Sequence, residues 1–188
     1  MVSIYIEKNI LMNKELYSAG ISIINVSTGK SIITNVIHNY EDENYTDNEI
    51  QRILSYYNPV EILVHTKDFN LTKEEIINKY DLSHDNIYIN HFIEEKEFTQ
   101  IPYQNNLLQK VFHFNTMNTP IEELNLERKE EVLLSYIYLL NFIYQHKTIL
   151  IDNVERPDEL NDENYLILSA DSVRQLNVFN NYSFYTGR

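Results

Sequence analysis

The segment Ser18-Ala19-Gly20-Ile21-Ser22-Ile23-Ile24-Asn25-Val26-Ser27-Thr28-Gly29-Lys30-Ser31-Ile32-Ile33-Thr34-Asn35-Val36-Ile37 contains two isoleucine-rich runs around a short polar break. Alternation with a period of two, carried by β-branched residues, predicts a strand on each side of the break. Ser27-Thr28-Gly29-Lys30 is the turn, where Gly29 can take the positive φ that a tight reversal needs. Upstream, Val2-Ser3-Ile4-Tyr5-Ile6 reads as a short first strand, and Lys8 to Leu16 reads as a polar excursion. Three successive strands make an antiparallel meander.

Beyond Ile37 the period changes. Thr46-Asp47-Asn48-Glu49 has the pattern of a capping box, with Thr46 bonding the Glu49 amide and Glu49 reaching back. Ile50, Ile53, Leu54 and Tyr57 then fall on one helical face, and Pro59 stops that helix. Val60 to Val64 is apolar over the length of a strand. Thr72-Lys73-Glu74-Glu75 is a second capping box, leading into Ile76, Ile77 and Tyr80. Asn86 to Asn90 is a short strand, Pro102 opens a helix, and Thr119-Pro120 opens a brief helical turn. Leu126 to Gln145 is the strongest helix, with Val132, Leu133, Tyr136, Ile137, Leu140 and Ile143 on one stripe. The order β-β-β-α-β-α-β-α-α predicts an α/β chain with a mixed sheet flanked by helices. That is the order of the ribonuclease H-like fold, which does not by itself assign a function.

Charge narrows the function classes. The chain has 188 residues, with 15 Lys and Arg against 28 Asp and Glu, a net −13. Autonomous nucleic-acid modules present a basic face to phosphates. Here the bases are scattered, and the acids gather at 41–49 and 152–163. There is no Cys, which excludes disulfides, thiolate metal sites and a cysteine nucleophile, and fits an intracellular, reducing compartment. The N-terminal residues lack a secretory pattern, and no apolar run approaches the ~20 residues of a membrane span.

The usual catalytic patterns are missing. A metal-dependent nuclease on this fold needs carboxylates in the middle of the first strand, on the first helix and at the end of the fourth strand. The candidates are Glu7 at the strand exit, Glu49 in the helix cap, Glu61 at the entrance of the fourth strand and Asp68 past its end. A stand-alone divalent-metal nuclease, or a degenerate remnant of one, is the alternative these residues leave open. No phosphate-binding glycine loop is present, because Gly20, Gly29 and Gly187 are isolated. The six His lack metal-ligand spacing and read as surface or edge residues. Catalytic, cofactor-binding and metal residues are therefore expected to be absent.

The hairpin motif, Gly20 to Lys30, resembles the "G-I-A-Y-x-D-x-S-T-G-E" hairpin of the MutS connector domain. Asn58-Pro59-Val60-Glu61-Ile62-Leu63-Val64 is similar to that family's "R-P-x-E-I-L" strand. Leu124-Asn125-Leu126 and the helix ending Tyr144-Gln145-His146-Lys147 resemble its "L-L-x-Y-L-x-x-T-Q-K" helix. Tyr165 to Val178 resembles "Y-L-x-L-D-x-x-T-R-R-N-L-E-L", which opens the lever and core region. The four matches occur in family order. The signature positions are Gly20, Ser27, Thr28, Gly29, Pro59, Glu61, Tyr165, Asp171, Arg174 and Leu176. Asn25, Asn125 and Asn177 depart from the pattern, as does the insertion Lys8 to Leu16.

The resemblance implies a connector-like domain over 1–150, an acidic linker over 151–164 and the start of a lever over 165–188. It implies a non-catalytic module of a mismatch-repair or recombination ATPase that relays between DNA-binding and ATPase regions. ATP and Mg²⁺ belong to the parent's ATPase domain, which this chain lacks. The implied partners are the parent's other domains and a MutL-type protein, with DNA touched at most weakly and through the parent, and no membrane.

Overall fold

The computed structural model describes residues 1–11, 13–82, 86–90, 96–146, 148–161 and 172. Strands β1 (Val2–Leu11), β2 (Lys14–Ile24) and β3 (Ser31–Val36) form the antiparallel meander. Helix α1 (Tyr45–Tyr57) leads to β4 (Ile62–Lys67), and α2 (Lys73–Tyr80) leads to β5 (Ile87–Ile89). A 3₁₀ turn (Lys96–Thr99) precedes α3 (Ile101–Phe112), α4 (Pro120–Glu123), α5 (Glu130–His146) and α6 (Thr148–Ile151). A two-residue strand, β6 (Asp158–Glu159), ends the described run.

The sheet order is β5-β4-β1-β2-β3-β6. β4 runs parallel to β1, β5 parallel to β4, and β6 parallel to β3. A meander whose first strand is central, extended by two parallel strands reached through helices, is the ribonuclease H-like topology.

Alternation along the strands sorts the core into two layers. Val2, Ile4, Ile6, Ala19, Ile21 and Ile23 pack with Ile50, Ile53, Leu54 and Ile76 of α1 and α2. Tyr5, Ile24, Ile33 and Leu63 point the other way, toward α3 and α5. Every residue from Val132 to Ile143 is buried, so α5 is a central helix rather than one with a single apolar stripe. It lies close because the facing positions Ser18, Gly20 and Ser22 are small and buried. A Cβ on Gly20 would come within 2.1 Å of the Glu131 carbonyl. Ser135 donates from Oγ to the Ser3 carbonyl at 2.8 Å, tying α5 to β1.

Several expectations are met. Gly29 sits at φ +80, α1 stops at Asn58 in the left-handed region just before Pro59, Thr72 forms a complete capping box, and Thr119-Pro120 opens the short helix α4, where the structure adds a capping box at Thr119. Three are corrected. Lys8 to Leu16 is no excursion: β1 and β2 continue in register to Leu11 opposite Lys14, making a ribbon that outreaches its neighbours. Polar residues alternate well along an exposed two-stranded ribbon, and Lys8 pairs with Glu15 at 2.6 Å. The capping box at Thr46 does not form. Thr46 lies inside the helix and is buried, its hydroxyl donates to the Tyr17 carbonyl, and Glu49 turns to Arg52. The third concerns the acidic segment given as a linker over 151–164, whose residues 151–160 are docked rather than a free connection. Ile151 and Val154 are buried, the Glu155 amide donates to the Gly29 carbonyl at 2.8 Å, and the Leu160 amide donates to the Ile33 carbonyl at 2.9 Å. Its charges point outward while its backbone covers the free edge of β3.

Candidate functional site

The middle of β1 and the facing part of β4 form the place where a metal nuclease of this fold keeps its carboxylates. Tyr5 stands opposite His65 in the parallel register. The His65 ring stacks on Tyr138 of α5 at 3.9 Å between centroids, with 13° between planes. Tyr5 lies 6.3 Å from Tyr138 at 16°, and Phe98 closes the cluster 5.3 Å from Tyr138. Tyr5, His65 and Tyr138 are all buried, and Phe98 is fully so. Alternation places Tyr5 on the α5 face, and the length of α5 places Tyr138 over it. Burial pushes the Tyr5 phenol well above its ordinary range, with Glu7, Tyr138, Glu130 and Asp68 adding to the shift. An aromatic stack of this kind offers shape and apolar contact rather than anionic oxygens.

The carboxylates do not converge there. Glu7 is bound to Lys67 across the strands at 2.8 Å, a hydrogen bond that holds the lysine above its ordinary range. Glu49 makes a two-donor bond to Arg52, through Nε at 3.1 Å and Nη2 at 2.8 Å. Glu61 precedes β4, six residues before Lys67 in that register, which is roughly 20 Å at strand rise. Asp68 is exposed just past the end of β4. Among the described residues, no group of three or more His, Asp and Glu side chains is placed to hold a metal ion.

The signature positions have structural places. Gly20 lets the first turn of α5 approach β2. The turn at Gly29 is built on Asn25, whose carbonyl accepts from Gly29 at 2.8 Å and whose Oδ1 accepts from the Ser27 amide at 3.1 Å. The Thr28 hydroxyl accepts from the Lys30 amide at 3.4 Å. A Cβ on Gly29 would meet the Asn153 carbonyl oxygen at 1.8 Å, so this glycine also admits the docked segment. Asn25, Ser27, Pro59 and Glu61 line one cleft of about 430 Å³ between the β2–β3 turn and the end of α1. Two of the sequence motifs therefore meet in space. Tyr165, Asp171, Arg174 and Leu176 lie outside the described residues.

No family model matches the chain. A protein of Acanthamoeba polyphaga mimivirus, named as a homologue of the DNA mismatch repair protein MutS, is 30% identical over 213 residues, taking in 100% of this chain and 19% of that protein. The chain is similar to that MutS homologue over its whole length. It spans about a fifth of the relative it matches. Among solved structures, RuvC of T. thermophilus bound to a Holliday junction substrate aligns with a TM-score of 0.41 and 10% identity, over 79% of this chain and 98% of that one. The fowlpox virus Holliday junction resolvase aligns with a TM-score of 0.39 and 12% identity, over 76% and 98%. The fold of this chain rests on its own strand order and register.

Sequence reasoning missed the residues that make the centre of this face. His65 is buried at 3% exposure, not a surface or edge histidine. The available signal was its position, directly after Ile62-Leu63-Val64 in an apolar strand. Ser31 was also missed: its hydroxyl bonds the buried Tyr136 hydroxyl at 3.1 Å and donates to the Glu155 carbonyl at 2.7 Å. It thereby joins β3, α5 and the docked segment. Among the described residues, no helix is long and apolar enough to cross a membrane.

Proposed function

We propose that this chain is the non-catalytic connector module of a MutS-like repair or recombination ATPase, relaying state between DNA-binding and ATPase regions and offering a surface for protein docking. The observation that carries the reading is the Tyr5–His65–Tyr138 stack where a nuclease of this fold would need its metal carboxylates. The rest of the site supports it. Glu7 and Glu49 are each engaged by a basic side chain, and Glu61 sits at the opposite end of its strand. The mimivirus relative supplies the family context.

A relay needs a rigid body with well-defined attachments. The continuous burial of α5 and the docking of 151–160 on the edge of β3 are of that kind. Duplex binding would release counterions only where Lys or Arg reach phosphates. A net −13 opposes this, so DNA contact belongs to other parts of the parent, as do ATP and Mg²⁺. A MutL-type protein is the docking partner this reading favours.

Two measurements test the reading. The purified chain should leave supercoiled plasmid, an RNA–DNA hybrid and a four-way junction intact with Mg²⁺ or Mn²⁺. Metal-dependent cleavage abolished by Glu7→Gln would install the nuclease alternative instead. In a full-length MutS-like protein carrying this segment, its excision should preserve ATP hydrolysis while removing the response of hydrolysis to DNA. A response that survives excision would end the relay reading.

A further inference from the structure

The docked segment along β3 has two unlike halves. Residues 151–154 are anchored: Ile151 and Val154 are buried, and the Asn153 carbonyl oxygen lies where a Cβ on Gly29 would point. From Glu155 to Leu160 no side chain is buried, and β6 pairs only with Ile32 and Ile33.

Separate contacts hold this second half. The Glu155 amide donates to the Gly29 carbonyl at 2.8 Å, and the Leu160 amide to the Ile33 carbonyl at 2.9 Å. The Arg156 guanidinium lies 4.7 Å from the centre of the Phe114 ring. Glu159 pairs with Lys129, just before α5. Leu160 packs at the edge of the α1–α2 layer, whereas Val154 belongs to the α5 layer. The strap therefore passes from one face of the sheet to the other around the edge of β3.

One side chain ties the strap to the interior. Ser31 Oγ donates its single proton to the Glu155 carbonyl at 2.7 Å, so at 3.1 Å it accepts from the Tyr136 hydroxyl. Tyr136 is fully buried within α5. The donors thus run from Tyr136 to Ser31 to Glu155, from helix to strand to strap. When the strap lifts, Ser31 loses its acceptor and the Tyr136–Ser31 bond must readjust inside the core.

We propose that residues 155–160 are a latch that opens and closes as one unit on the folded domain, and that Ser31 passes its state to Tyr136. The physical basis is the kind of contact. Exposed ion pairs are weak and screened by salt, and segments with few buried apolar groups open below global unfolding. The anchor at 151–154 keeps the open strap beside its seat. This deepens the relay reading above and rests on it for the purpose of the motion: a change at the strap reaches the centre of α5 through one hydroxyl.

The test is amide hydrogen exchange by NMR on the full 188-residue chain. The Glu155 and Leu160 amides should exchange about 100-fold or more faster than those of Ile4 and Ile21, at rates that low urea leaves unchanged. Raising NaCl from about 50 to 500 mM should speed both strap amides. Glu159→Gln, at an exposed position, should speed Glu155 and Leu160 by the same factor, remove most of the salt effect and shift the Tyr136 ring signals. Ser31→Ala should likewise speed both amides together. Strap amides that exchange as slowly as Ile4 and Ile21, with the same urea dependence, would overturn the latch. So would a Glu159→Gln variant in which Leu160 speeds and Glu155 does not, because the contacts would then be independent. Unmoved Tyr136 signals in that variant would overturn the link through Ser31. The cleavage and excision results above do not depend on these rates, so the two readings fail separately.

Discussion

Replacing Gly20 by Ala adds one methyl group beneath the first turn of α5. The added Cβ would lie 2.1 Å from both the carbon and the oxygen of the Glu131 carbonyl, and 2.3 Å from the Val132 nitrogen. Ordinary contact begins at 3.4 Å, so strand and helix must separate by at least 3.4 − 2.1 = 1.3 Å locally. The obstacle is backbone, so no side-chain rotation relieves it. Moving α5 also opens the contacts of Val132, Tyr136 and Leu139, which are almost fully buried. Overpacking of a filled core costs about 1–3 kcal/mol, and a backbone clash places Gly20→Ala at about 3 kcal/mol or more. With a urea slope of about 2–3 kcal/mol per molar, the unfolding midpoint should fall by roughly 1–1.5 M. The assay is equilibrium urea unfolding followed by far-ultraviolet circular dichroism. Ser22→Ala is the control: it lies on the same face and removes a buried hydroxyl that has no hydrogen-bond partner among the described residues, so its midpoint should change little. A Gly20→Ala midpoint equal to wild type would refute the close approach of α5 to β2.

Leu140 is fully buried, and Leu140→Ala should cost about 2–5 kcal/mol in the same urea assay. Gly29→Ala meets both a positive φ and the Asn153 carbonyl, so it should lower the midpoint and speed amide exchange at Glu155, read by NMR. Thr119→Ala removes a formed cap and should cost about 1 kcal/mol, whereas Thr46→Ser keeps the hydroxyl that bonds Tyr17 and should cost less than Thr46→Val. Glu75 and Glu122 are held below the ordinary carboxylate range by the backbone amides and hydroxyls of Thr72 and Thr119. A depressed folded pKa contributes stability above the unfolded value of 4.5 and loses it as pH falls through the folded value. Melting temperatures below pH 4.5 should therefore fall less steeply for Glu75→Gln/Glu122→Gln than for wild type, and identical slopes would show that neither carboxylate contributes.

Local chemistry made much of this protein legible along the chain. Alternation at Ile21, Ile23 and Ile32 marked the strands, Gly29 marked the turn, and Thr72-Glu75 and Thr119-Pro120 marked helix starts, because each depends on residues a few positions apart. The same local rule failed at Thr46, since a carbonyl of β2, 29 residues away, competes for its hydroxyl. Residue types also showed that Glu7, Glu49, Glu61 and Asp68 were spaced poorly for a shared metal. Tertiary structure alone decided what fills that place. The contact of His65 with Tyr138 joins positions 73 residues apart, and neither side chain carries a local sign of the other. It likewise decided that Ser18, Gly20 and Ser22 are small because α5 lies on them, and that residues 155–160 of the acidic segment close the edge of β3. The physical reason is range. Backbone preference and periodicity act within a turn or a pleat and are written in neighbouring residues, whereas packing and edge pairing depend on which distant surfaces the completed sheet brings together.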